Sequence, residues 1–196
     1  LARVIAPPYD VISDSYGEEL RRRSPYNVIR LILGQPKAGG AFPDRQYAQA
    51  QEFFRDWIEK GIFVWEPADG YYLYEINFPH PFLKKRLTRL ALFSLLKLEP
   101  FERKVVFPHE RTHASPKVDR GKLLRATCAN FSPVFALYED PTDTLDQIRE
   151  RCGRQAPLFD FQDSDDARHK LWVIQDSKKM SAIGSQFDRK RMFLAD

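Results

Sequence analysis

Cysteine is scarce in this 196-residue chain: only Cys128 and Cys152 occur. Two cysteines without C-x-x-C spacing build neither a disulfide framework nor a thiolate metal site, and they fit a reducing, cytoplasmic location. No apolar run approaches the roughly 20 residues that span a bilayer, so no membrane partner is expected. The opening "LARVIAPPYD" lacks the basic-then-apolar pattern of a secretory leader. The glycine cluster in "KAGGAF" matches neither G-x-G-x-x-G nor the Walker pattern, and G-x-S-x-G is absent. These gaps remove the P-loop, Rossmann and serine-hydrolase readings. Internal repeats and low-complexity tracts are also missing. The net charge is only +4 and no basic-aromatic stripe is present, so a nucleic-acid partner is not expected.

What is present suits a globular fold. Hydrophobic residues make up 43% and charged residues 30%, and a chain of this size buries roughly 70% of its unfolded surface. Helical and strand-like segments intermix with short connections, which predicts an α+β fold with a mixed, largely antiparallel sheet and flanking helices. Residues 1–196 are read as a single α+β region. The chain opens in "RVIA" without an initiator Met and stops in "RMFLAD", so a fragment of a longer protein, cut at both ends, is expected.

Several elements follow from local signals. "SDSYGEELRRR" reads as a helix capped by Ser13 or Asp14 and stopped at Ser24-Pro25. "NVIRLIL", rich in β-branched residues, predicts a strand over 27–33. The next helix is capped by Asp44, carries Tyr47, Ala50, Phe54, Trp57 and Ile58 at helical spacing, and ends at a left-handed Gly61. "IFVWE" and "YYLYEINF" read as an antiparallel pair across "PADG". "RLTRLALFSLLKLE" reads mostly as strand. "PKVDRGKLLRATCAN" predicts a helix with Ser115 as cap and Pro116 first. After it come a strand in "SPVFALYE", a helix closed by Gly153, and strands in "LWVIQ" and "RMFLA", with a short helix or turn in "SAIGSQF" between them.

Charge is concentrated in one place. Between Arg103 and Arg125 lie seven Lys or Arg against Glu110 and Asp119, an excess larger than that of the whole chain. Within it, "PHERTHASPKVDR" collects His109 as a proton shuttle, Glu110 as a base or oxygen ligand, and Arg111 as a planar fork for phosphate or carboxylate. Thr112 adds a hydroxyl, and Lys117 and Arg120 lie on the first turns of the following helix, whose N–H groups point back at the loop. A phosphorylated or carboxylated ligand would be satisfied there. The alternative is a solvated charged loop whose ion pairs contribute at most about 1 kcal/mol each. A zinc site using His109 and His113 is a third reading, disfavoured by the flanking prolines; no metal ligand is assigned.

Other candidates each carry a structural alternative. Tyr9 and Asp10 in "PPYD" could line a site or form a rigid turn with a buried Tyr. Asn130 could end a helix in the left-handed conformation or touch a ligand. Cys128 reads as a small core residue, His80 as part of a turn, and His169 as solvent-facing. The aromatics Trp57, Phe63, Trp65, Tyr71, Tyr72 and Tyr74 read mainly as core rather than as a base-stacking platform.

"RVIAPPYDVIS", "NVIRLILG", "YYLYEINF", "VFPHERTHASPKVDR", "LLRATCANFSPVFALYED" and "LWVIQD" occur in that order. The series resembles the bacterial and archaeal domain-of-unknown-function family 1015 over essentially the whole chain. Members of that family are longer and continue past "LAD" with Gly-His-His-Arg, a motif outside this sequence. The resemblance implies no established activity. A fold-level analogy to the phosphate-binding boxes of ParB/sulfiredoxin-like proteins, which include free-serine kinases and nucleotide hydrolases, points to phosphate chemistry. The resulting expectation is a phosphate- or nucleotide-binding protein acting as a small-molecule phosphotransferase, with Mg²⁺ and a nucleotide as candidate cofactors. His109, Glu110 and Asp119 would be catalytic. Arg111, Thr112, Lys117, Arg120, Tyr9, Asp10 and Asn130 would bind the substrate's phosphate, and Asp196 could complete the site. The rival expectation is a non-catalytic ligand-binding or regulatory module with the same anion pocket.

Overall fold

A computed structural model describes residues 1–33, 45–108, 114–188 and 190–195. Among them are six helices and seven strands, an α+β fold whose larger sheet is antiparallel throughout. The chain divides into two compact units, Arg3–Trp65 with Glu110–Val134, and Glu66–His109 with Phe135–Asp196.

The first unit is helical. Helix α1 spans Asp14–Arg23, and the Ser13 hydroxyl caps it by accepting from the Tyr16 amide at 3.3 Å. A short helix α2 covers Ile29–Ile32, where the sequence predicts a strand. The apolar run is short, and at that length a buried strand and a buried helix turn look alike. Asn27 decides between them. Its Oδ1 accepts from the Ile29 amide at 3.0 Å and starts the turn, while its Nδ2 donates to the carbonyls of Arg3 and Ile5, each at 2.9 Å. Ile29, Leu31 and Ile32 are all buried, and Leu20, Ile29 and Ile32 form a core with Tyr9, Ile12 and Phe131 against it.

Helix α3 runs Arg45–Glu59, with Tyr47, Ala50 and Trp57 on its buried face as their spacing predicts. The Asp44 cap lies outside the described residues. Gly61 has φ +67°, the left-handed residue the sequence calls for. Its amide donates to Ile58 O and that of Ile62 to Trp57 O, closing a Schellman motif. That closure takes "IFVWE" out of any strand: Val64 and Trp65 are exposed and unladdered. Helix α4, Ala114–Thr127, begins before Ser115, so Pro116 sits inside the first turn, where a missing N–H leaves no bond unmade. Its end also differs from expectation. Thr127 Oγ1 donates to Leu123 O at 2.9 Å, and Cys128, not Asn130, takes the left-handed conformation at φ +52°. Cys128 is consequently exposed rather than part of the core.

The second unit holds both sheets. Strands β1 (Tyr71–Pro79), β2 (Arg86–Phe93), β5 (Phe159–Gln162) and β6 (Arg168–Ile174) make a four-stranded sheet in the order β2-β1-β6-β5. Strands β3 (Val106–Phe107), β4 (Ala136–Leu137) and β7 (Met192–Leu194) form a second sheet, ordered β3-β7-β4. The partners of β1 are thus β2 and β6 rather than residues 62–66. The β2 ladder stops at Phe93, short of the strand predicted through Glu99. Alternation sends Leu73, Trp172 and Ile174 to one face, where Ile148 and Cys152 of α5 (Thr144–Cys152) and Ile183 of α6 (Ser177–Phe187) cover them. At the end of α5, a Cβ on Gly153 would stand 2.9 Å from Arg149 O, which explains the glycine there.

Asp140 organises the start of α5. Its carboxylate accepts from Thr144 Oγ1 at 2.7 Å, Lys190 Nζ at 3.0 Å and Tyr138 Oη at 3.0 Å. Burial opposes ionisation, but these donors outweigh it and hold the carboxyl well below the usual carboxylate range. A depressed folded-state pKa contributes stability at neutral pH that is lost as the pH falls below about 4. Urea midpoints of the protein and of Asp140→Asn should therefore differ most near neutrality and converge in acid.

Candidate functional site

In the helical unit, the charge concentrated on α4 is organised around Arg120. Consecutive residues Asp119 and Arg120 fold onto each other. Arg120 Nε donates to Asp119 Oδ2 at 2.8 Å, and Nη2 donates to the same oxygen. Nη1 donates to Ile32 O at 3.0 Å, at the end of α2, where free carbonyls favour a cation. The guanidinium carbon lies 4.3 Å from the centre of the Tyr9 ring, a cation–π contact. The other carboxylate oxygen of Asp119 accepts from Tyr47 Oη at 2.6 Å.

Burial alone would raise the Asp119 carboxyl, but Tyr47 and Arg120 prevail and hold it below its ordinary value. The Tyr47 phenol is pushed up, by burial first and by Asp119 second. Asp119 is therefore a committed anion and a weak proton acceptor at neutral pH. A cavity of about 70 Å³ opens beside the group, lined by Tyr9, Ile32, Tyr47, Asp119, Arg120 and Leu123 among others. It is far smaller than the roughly 300–1,000 Å³ of sites that swallow a drug-sized ligand, and its scale is that of a single polar head group.

The structure thus brings together three residues that the sequence singles out: Tyr9, Asp119 and Arg120. Asp10 shares the 3-10 turn Tyr9–Val11 but is exposed. Lys117 is exposed one turn before Arg120, and Asn130, also exposed, accepts from the Ser132 amide at 3.4 Å. His109, Glu110, Arg111, Thr112 and Asp196 lie outside the described residues, as does His113. Sequence reasoning missed Tyr47 and Ile32. Tyr47 reads as one more apolar rung of α3, and its hydroxyl is the one signal of a polar role. Ile32 contributes only a carbonyl, which no side-chain pattern reveals.

In the sheet unit, His169 is not solvent-facing but 7% exposed. Its Nδ1 is 2.6 Å from Tyr74 Oη and its Nε2 2.9 Å from Asp163 Oδ2, with Phe161 stacked on the ring at 4.8 Å. Position, not composition, buries it: residue 169 falls on the aromatic face of β6. His80 behaves as expected, its Nδ1 accepting the amides of Phe82 and Leu83 within a turn. Of the aromatics read as core, Trp57 is buried, whereas Trp65 is 82% exposed.

The sequence profile described as "Protein of unknown function (DUF1015)" matches residues 1–196. The chain belongs to the DUF1015 family. Comparison with the curated proteins and with the solved structures found no match. No helix among the described residues of this DUF1015 chain is long and apolar enough to cross a membrane.

Proposed function

We propose that this chain binds a phosphorylated small molecule or nucleotide by its terminal phosphate beside Arg120, and that it is a small-molecule phosphotransferase. The observation that supports this is the placement of the Arg120 guanidinium. Tyr9, Asp119 and Ile32 fix it at the wall of a cavity of head-group size. Its three bonds leave two of five N–H donors without a partner among the described residues. Lys117 one turn away and the sequence-read His109, Arg111 and Thr112 would add donors, with Glu110 as the base. The free state of both cysteines fits a cytosolic location.

A second reading, a non-catalytic anion-binding module, is favoured by one feature. Asp119 is already engaged by Tyr47 and Arg120, which ties it to positioning rather than to proton transfer. Calorimetric titration with inorganic phosphate and with ATP tests the binding step. Arg120→Ala should weaken it about tenfold or more, since a hydrogen bond to a charged group contributes about 1.5–3 kcal/mol. Equal affinity in a folded Arg120→Ala protein would rule out this site. Turnover of ATP with serine as a trial acceptor separates phosphotransfer from binding alone.

A further inference from the structure

The cavity beside Arg120 has two poles. Among the described residues that line it, Arg120 is the one cation and Asp119 the one anion, and they are neighbours on α4. Lys122 lies near Tyr47 but not on this wall. A bare phosphate drawn to Arg120 therefore meets a carboxylate beside it, and like charges repel. A ligand of one sign satisfies only half of the wall.

Asp119 keeps room for a further donor. A carboxylate offers about four lone-pair positions. Arg120 takes both on Oδ2, through Nε at 2.8 Å and through Nη2, while Tyr47 Oη takes one on Oδ1 at 2.6 Å. One position on Oδ1 is left, and 31% of the side chain is exposed. Burial opposes ionisation of this carboxyl, but Tyr47 and Arg120 outweigh it, so it meets a ligand as an anion at neutral pH. Arg120 is open in the complementary sense, with two N–H donors left over. Spare donors and a spare acceptor thus sit on one charged pair, which suits a ligand carrying both charges close together.

We infer that the phosphorylated small molecule taken up here also carries a protonated amine a short aliphatic step from its phosphate: an aminoalkyl phosphate, with the phosphate on Arg120 and the ammonium on Asp119. This rests on the phosphate site proposed above and narrows its ligand to the small-molecule branch of that reading. The ligand is a free monoester; a phospholipid head group presents the same two charges on a diester.

Calorimetric titration of the full chain at neutral pH compares phosphoethanolamine with propyl phosphate, in which a methyl replaces the ammonium. Phosphoethanolamine should bind about tenfold or more tighter, the scale of a hydrogen bond between charged groups. The chain's net charge of +4 attracts the more negative propyl phosphate, so long-range attraction works against this order. Asp119→Asn, which keeps the shape and removes the charge, should bring the two affinities within about twofold, a change well beyond that of a surface ion pair. Arg120→Ala should weaken both probes. Equal affinities that both depend on Arg120 overturn the ammonium pole and leave the phosphate site standing; no binding of either probe overturns both. A preference that survives in folded Asp119→Asn places the ammonium elsewhere and overturns the inference. Sedimentation with phosphatidylethanolamine vesicles, without binding of free phosphoethanolamine, assigns a lipid and overturns the free ligand.

Discussion

Asn27→Ala should lower the folding free energy by about 2–4 kcal/mol, because it orphans buried backbone groups at about 1–3 kcal/mol each, less than additively. The side chain is fully buried and touches three backbone positions at once. It ties residues 3–5 to the turn that begins α2, and the carbonyl of Ile32 at the far end of α2 receives Arg120. The substitution should therefore weaken ligand binding beside Arg120 in parallel with stability. Asn27→Asp should be no gentler, since a carboxylate would face the carbonyls of Arg3 and Ile5, which need a donor. Urea midpoints for the three proteins check this. A loss under about 1 kcal/mol in Asn27→Ala would mean that water replaces the amide without penalty.

Leu73→Ala should cost about 3–5 kcal/mol, in the range of fully buried leucines whose cavity cannot collapse. Leu73 has no exposed surface and sits on β1, a central strand, directly between Leu92 of β2 and Trp172 of β6. Strands held on both sides cannot close in on the lost volume. Leu73→Met, which nearly conserves volume, should stay below about 1.5 kcal/mol. Thermal unfolding of both variants measures the contrast, and equal losses would show that volume at this position is not what matters.

How far the fold could be read in advance depended on whether the decisive interaction was local. The end of α3 was legible because Gly61 acts through its own backbone. The cap of α1 was legible because Ser13 reaches only three residues ahead. The α+β class followed from the mixture of periods. The failures share a cause in contacts made at a distance. Asn27 turns 27–33 into helix by bonding to Arg3 and Ile5, more than twenty residues earlier. Strand β5 passed unnoticed because "FDFQ" is short, and its register is set by β6. His169 looked exposed among charged neighbours, but strand alternation carried it to the aromatic face. For the candidate site, the sequence supplied the cation-rich helix and the "PPYD" turn. It could not supply the meeting of Tyr9 with Arg120, or of Tyr47 with Asp119 across 72 positions.

The contrast between the two thiols offers an experimental handle. Cys152 is buried and its thiol is pushed up by that burial, so little of it is thiolate; Cys128 projects into solvent just after α4. A maleimide fluorophore would select Cys128 in the unaltered protein. The dye would stand at the C-terminal end of the helix whose other half carries Arg120, reporting on that helix without any engineered residue.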